Sequence, residues 1–267
     1  MVGYPFLYNL WISLHVDRLS ASDGAWVGLK NYIDLVTNGS LAQVVSTTFV
    51  WTVACLVFGF LIGFGLALAL DRTFRGAGLI RTVLLAPWVM PGVVIAAIWL
   101  AIFNPIGGLA NTALDAVGLP THDWLGDPAT ALGSLVLVNV WKSAPFWMLM
   151  TSAALKAVPA ETLEAAKLDG AGYFKRLVFV IVPQIREVLV LTTLLSFIWT
   201  FNYFDLAYVL TQGGPNGATT TVPFEIYQVS FAYFRFDQGA AWSVVSFLLM
   251  TILIVFYIRL SRRRERA

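Results

Sequence analysis

Charge, cysteine and histidine are all scarce in this sequence, and each shortage removes a class of protein. Charged residues make up 12% of the 267 positions and hydrophobic ones 58%, too little charge to cover a water-facing domain of this length. The one cysteine, Cys55, lies inside an apolar run, which excludes a disulfide framework or a thiolate metal cluster. The two histidines, His15 and His122, have no ligand partners at metal spacing and are expected to be packed or solvated. No metal site and no catalytic residue is expected, and intramembrane catalysis has neither a nucleophile with a base nor a metal cluster to work with. A G-x-x-x-x-G-K-[ST] phosphate loop is also missing, so any ATP-driven role needs another subunit.

What the chain does have is long apolar runs. Five stand out, at about Val44 to Leu70, Leu79 to Phe103, Leu132 to Leu155, Val188 to Leu210 and Ala240 to Leu260. Each has roughly the 20 residues that a helix needs to cross a hydrocarbon core of about 30 Å. They are continuous rather than alternating, which favours helices over a closed barrel. A sixth run, Tyr4 to Val16, is shorter and reads as the outer end of an incomplete first helix, with no basic residue before it as a signal peptide would have. The expected class is all-α and polytopic, with about six helices in a single domain over 1–267.

The basic residues set the orientation. Arg72, Arg75 and Arg81 follow the first long run, and Lys156, Lys167, Lys175, Arg176 and Arg186 follow the third. Arg259, Arg262, Arg263, Arg264 and Arg266 end the chain. The alternate connections hold only Arg18, Lys30 and Arg235, and 103–131 has no Lys or Arg. The positive-inside rule therefore places the basic loops and the C-terminus in the cytoplasm, and the net charge of +2 needs no nucleic acid to explain it.

Within 156–186, the stretch from Val158 to Gly172 reads as a short capped helix. Pro159 suits a first helical position, Glu161 and Glu164 favour its N-terminus, and Gly170 can take the left-handed conformation that stops it. A second short helix is expected from about Tyr173 to Val182, ending at Pro183. Ala165 and Ala166 give the first helix a small-residue face. Such a face can receive another protein, or the helix can lie on lipid headgroups with Lys167, Lys175 and Arg176 meeting phosphates.

Polar residues inside the spans should face an interior cavity. Asn139, Lys142, Ser143 and Phe146 fall at i, i+3, i+4 and i+7 of one run, and Ser196, Trp199, Thr200 and Tyr203 repeat that spacing on the next. Trp88 and Gly92 lie one turn apart beside Pro87 and Pro91, which can bend their helix. Hydroxyls and amides beside aromatic faces suit a sugar; the same residues could equally bridge neighbouring helices. Lys142 does not by itself select an anionic solute.

Four stretches carry a resemblance: Glu164-Ala-Ala-Lys-Leu-Asp-Gly-Ala-Gly172 with Ile181-Val-Pro183, Val27-Gly-Leu-Lys-Asn-Tyr32, Asn139-Val-Trp-Lys-Ser-Ala-Pro-Phe146, and Leu210-Thr-Gln-Gly-Gly-Pro-Asn216. Taken in chain order, they resemble the permease subunits of binding-protein-dependent ABC importers, in particular the carbohydrate-uptake branch with its maltose and glycerol-3-phosphate permeases. The resemblance implies a type I importer fold and a 156–186 coupling loop, with Glu164, Ala165, Ala166, Asp169 and Gly170 docking an ATPase. It also implies a solute route along the polar and aromatic faces just described. The implied partners are a homologous second permease, two ATPase subunits that hold ATP and Mg, an extracytoplasmic solute-binding protein and membrane lipid, with no cofactor in this chain. An ion-coupled secondary transporter, the main alternative, would show buried carboxylates and an inverted repeat, and neither is evident in the spans.

Overall fold

A computed structural model describes residues 3–16, 24–71 and 76–263, and the side chains of all of these except 260, 262 and 263. Arg18, Arg72, Arg75, Arg264 and Arg266 of the charge pattern lie outside the described residues, as do the side chains of Arg262 and Arg263. The described backbone is helical: α1 (Gly3–Ser13), α2 (Lys30–Thr37), α3 (Ser40–Leu70), α4 (Ala77–Val89), α5 (Gly92–Ile102), α6 (Leu109–Ala116), α7 (Pro128–Lys156), α8 (Ala160–Leu168), α9 (Tyr173–Arg176), α10 (Val182–Gln184), α11 (Arg186–Phe201), α12 (Val222–Tyr227) and α13 (Phe236–Arg263). π-helical turns cover Leu177–Ile181, Ala207–Thr211 and Gln228–Ala232.

Among the described residues two helices are long and apolar enough to cross a membrane alone, Ser40–Leu70 and Phe236–Arg259. Helices α4 and α5 qualify together but bend by 100° between Val89 and Gly92, and Tyr173–Gln184 with Arg186–Phe201 qualify together with a 70° bend. Helix α7 is 29 residues long and carries Asn139, Lys142 and Ser143 within its apolar run.

Two of the apolar runs are therefore broken, the first at one of the two prolines expected to bend it. The run from Leu79 to Phe103 breaks at Met90-Pro91, where Met90 takes an extended ψ of 141°, as a residue before proline prefers. The run from Val188 to Leu210 ends as a regular helix at Phe201, and a π-turn resumes at Ala207.

The chain forms two units: Met1–Thr52, Ala96–Leu135 and Phe201–Ala267 in the first, Val53–Ile95 and Val136–Thr200 in the second. In the first, Leu35, Val44, Val222, Val229, Ala241 and Trp242 form a buried cluster. Helix α1 lies against α13, with Phe6 and Phe247 ring centroids 4.9 Å apart and Asn9 Nδ2 donating to the Ala240 carbonyl at 3.4 Å. His15 stacks on Trp11 at 3.9 Å and meets the edge of Trp26 at 5.1 Å. The exposed His122 is tied through its backbone, donating to Asn111 Oδ1 at 3.1 Å. Among the described residues no group of His, Cys, Asp and Glu could hold a metal ion. The Leu210–Asn216 stretch is knitted by its threonines: the Thr211 and Thr219 hydroxyls lie 2.7 Å apart, and Thr220 Oγ1 donates to the Gly213 carbonyl at 3.0 Å.

In the second unit α3 and α7 approach closely because α3 has no side chain at the crossing. A Cβ on Gly59 would lie 3.1 Å from Trp147 Nε1 and 3.3 Å from Ser143 Oγ. One on Gly63 would overlap the Cβ of Trp147 and lie 2.5 Å from the Ala144 carbonyl oxygen. Gly59 and Gly63 thus form a G-x-x-x-G contact within one chain. Below it, Ala67, Leu70 and Met148 pack together, and the Arg81 guanidinium donates to the Leu70 carbonyl at the end of α3. Gly63→Ala is expected to overpack this crossing at a cost of about 1–3 kcal/mol. Gly65→Ala adds a methyl with nothing within 4 Å and should be silent. Thermal denaturation of the purified protein in detergent compares the two; equal melting temperatures would contradict the close α3–α7 contact.

Candidate coupling and translocation sites

The cytoplasm-assigned loop folds much as its sequence implies. Helix α8 spans Ala160–Leu168 with Pro159 just before it as the extended cap residue, one position earlier than expected. Gly170 has φ +76°, Ala171 N–H donates to the Ala166 carbonyl at 3.0 Å, and Gly170 N–H donates to the Lys167 carbonyl at 3.0 Å. These two bonds form a Schellman motif, which satisfies the last carbonyls of the helix and turns the chain sharply. The second arm continues past Pro183: α9, a π-turn and α10 run from Tyr173 to Gln184, because a proline at the start of a helical turn has no N–H bond to lose.

No residue of α8 is buried. Glu164, Ala165, Asp169 and Gly170 are exposed and Ala166 is half-buried. Leu168 is 89% exposed, and Phe174 and Phe179 are 74% and 75% exposed. A helix of nine residues is marginal in water without tertiary support, and apolar side chains this exposed need covering by a partner or by lipid.

Three of the sequence-selected pathway residues, one each from α4, α7 and α11, meet in the second unit. The Phe146 ring lies 5.6 Å from Trp88, nearly parallel at 23°, and 5.0 Å from Trp199, tilted at 60°. Phe146 is buried, whereas Trp88 and Trp199 are 37% and 50% exposed. The group is thus a buried ring with two indoles at its rim. Each aromatic pair adds about 0.5–1.5 kcal/mol beyond area burial.

The other selected residues divide. Asn139 is buried, shares a side-chain hydrogen bond with Cys55, and its Nδ2 finds no acceptor among the described residues. Ser143 lies against Gly59 of α3, so Asn139 and Ser143 turn toward α3 while Phe146 turns toward the tryptophans. Ser196 and Thr200 are buried on α11, and Lys142 is half-buried. Gly92 opens α5 beyond the Pro91 bend, so it does not share a straight helix face with Trp88, contrary to the one-turn spacing expected. Tyr203 falls in the break after Phe201, in the first unit. The sequence reading missed Trp147, whose ring lies 5.6 Å from Phe60; its signal was the Gly59–Gly63 pair on the neighbouring helix.

The sequence and the fold are shared with known proteins. The family model described as "Binding-protein-dependent transport system inner membrane component" matches residues 59–266. The trehalose/maltose transport system permease protein MalF of Thermococcus litoralis is 32% identical over 264 residues, covering 98% of this chain and 88% of the relative. The trehalose transport system permease protein SugA of Mycobacterium tuberculosis is 33% identical over 261 residues, covering 97% and 83%. A chain from the crystal structure of a bacterial ABC transporter that imports the acidic polysaccharide alginate superposes with a TM-score of 0.86 at 19% identity. That match covers 98% of this chain and 90% of the other, and it shows the fold.

Proposed function

Because the chain belongs to the family of binding-protein-dependent transport system inner membrane components, a multi-pass permease subunit of an ABC importer that leaves ATP to a separate subunit, we propose that its solute is a neutral sugar of the trehalose or maltose kind. Two relatives whose names state such sugars support this reading. The observation that carries it is the Trp88–Phe146–Trp199 group, whose half-exposed indoles suit the apolar C–H faces of a sugar ring. Asn139, Ser143, Ser196 and Thr200 supply hydrogen-bonding groups on the same helices, with Lys142 and Gly92 along the route.

The complete machine pairs this chain with a second permease, two ATPase subunits and an extracytoplasmic solute-binding protein, with the C-terminus in the cytoplasm. Helix α8 docks one ATPase through Glu164, Ala165, Ala166, Asp169 and Gly170. Helix α7 connects the two sites. From Phe146 to Lys156 it runs about 15 Å at roughly 1.5 Å per residue, and Pro159 caps the start of α8 three residues later. Movement of α8 when the ATPases close is thereby passed to the wall that holds Phe146. The permease alternates between outward- and inward-open states, which requires that ATP and sugar each bind the two states with different affinity.

Thr200→Leu and Asn139→Leu test the route. Both should leave the complex assembled and raise the half-saturation concentration for sugar uptake by about tenfold, the scale of one or two hydrogen bonds and a lost fit. Unchanged uptake kinetics across several sugars would return both residues to helix packing.

A further inference from the structure

Between α11 and α13 lies a group of aromatic rings that the route above does not use. Helix α12 and the π-turn after it bury Val222 and Val229 in the core of the first unit, while Phe224, Tyr227 and Phe231 recur at i, i+3 and i+7. Against them stand Phe204 and Tyr208. Tyr227 lies 5.0 Å from Phe204 and 5.1 Å from Tyr208, edge-on to the latter, and 5.6 Å from Phe231. Phe204 and Tyr208 stack at 5.0 Å and 23°.

Two properties set this group apart from ordinary core. Its outer rings remain open, with Tyr208 41% and Phe231 59% exposed. Its two phenol oxygens also face each other at 3.5 Å, longer than a good O–H···O bond of about 2.7–2.8 Å. Two hydroxyls at that separation each keep bonding capacity, and a third hydroxyl can bridge them.

We propose that Phe204, Tyr208, Tyr227 and Phe231 form a second saccharide-contact site, in which a neutral sugar ring stacks on the exposed aromatic faces and one of its hydroxyls bridges Tyr208 and Tyr227. This rests on the sugar reading above and adds a site made of different residues, in the other unit. Glu225, on the same short helix, is half-buried, and burial pushes its carboxyl above the usual carboxylate range. That shift favours the uncharged form, able to donate to a neutral hydroxyl.

The test uses the assembled transporter with its solute-binding protein. Tyr208→Phe combined with Tyr227→Phe removes both hydroxyls and keeps the rings. Half-saturation for maltose uptake is expected to rise about three- to tenfold, as for one or two neutral hydrogen bonds. In parallel, Tyr208→Cys in a Cys55→Ser background should react with a membrane-impermeant maleimide added outside, and maltose should slow that reaction. An unchanged half-saturation, no labelling, or labelling that maltose does not slow would each overturn the second site and make the rings a lipid-facing belt. If the unmodified transporter takes up the sugar normally, only the second site fails. If it takes up no neutral sugar, both readings fail.

Discussion

Gly170→Asp is expected to cut sugar uptake by at least about tenfold while the transporter still assembles and its ATPase still turns over. Gly170 sits at φ +76°, where a side chain costs roughly 1–2 kcal/mol, and the Schellman bonds to the Ala166 and Lys167 carbonyls depend on that conformation. The new carboxylate would stand beside Asp169 at the C-terminal end of α8, where the helix dipole is negative and a second anion is unfavourable. A Cβ at Gly170 meets nothing within 4 Å, so beyond the backbone strain the added atoms clash with no other part of the chain. The charge itself acts on whatever docks there. Gly170→Ala separates the two effects, carrying the backbone strain without the charge, and should retain intermediate uptake. Uptake and ATP hydrolysis measured side by side decide the matter; normal coupling in Gly170→Asp would remove α8 from the contact.

Trp199→Ala should have a comparable effect at the aromatic group, where Trp199 of α11 meets Phe146 of α7. Trp199 is 50% exposed, so truncating it costs little folding energy but removes one rim of the aromatic group. Half-saturation for the sugar is expected to rise at least about tenfold, with the melting temperature close to that of the unmodified protein. Phe146→Ala makes the contrast. Phe146 is 7% exposed, and its loss should cost about 3–5 kcal/mol of stability, lowering the amount of assembled complex. If Trp199→Ala transports normally, the exposed indole is a packing or lipid contact and the solute route lies elsewhere.

The features that depend on local chemistry were legible in the sequence. Pro159, the glutamates and Gly170 bounded α8 to within a residue, because caps and left-handed stops are properties of a few neighbouring atoms. Helical spacing picked out Phe146 and Trp199, and the neighbouring prolines Trp88, each on its own helix; that the three rings meet is a tertiary fact no single run records. What periodicity could not supply was direction. A run from Leu79 to Phe103 looks continuous in hydropathy, yet Pro91 turns it by 100° and puts Trp88 and Gly92 on different helices. The stripe Asn139, Lys142, Ser143 and Phe146 likewise reads as one face, but Gly59 and Gly63 draw α3 so close that Asn139 and Ser143 serve that contact as well. A missing side chain on a neighbouring helix leaves no mark in the periodicity of α7. The break after Phe201 has no proline, and nothing in the local sequence announced it.

The account stands or falls on energy-driven sugar uptake. The chain, co-expressed with its second permease and ATPase and reconstituted into vesicles with the solute-binding protein outside, should accumulate labelled trehalose or maltose only when ATP is enclosed. Accumulation should cease with a non-hydrolysable analogue and be lost in Gly170→Asp. Accumulation that persists without ATP, or a complex that hydrolyses ATP in response to the loaded binding protein yet moves neither sugar, would contradict it.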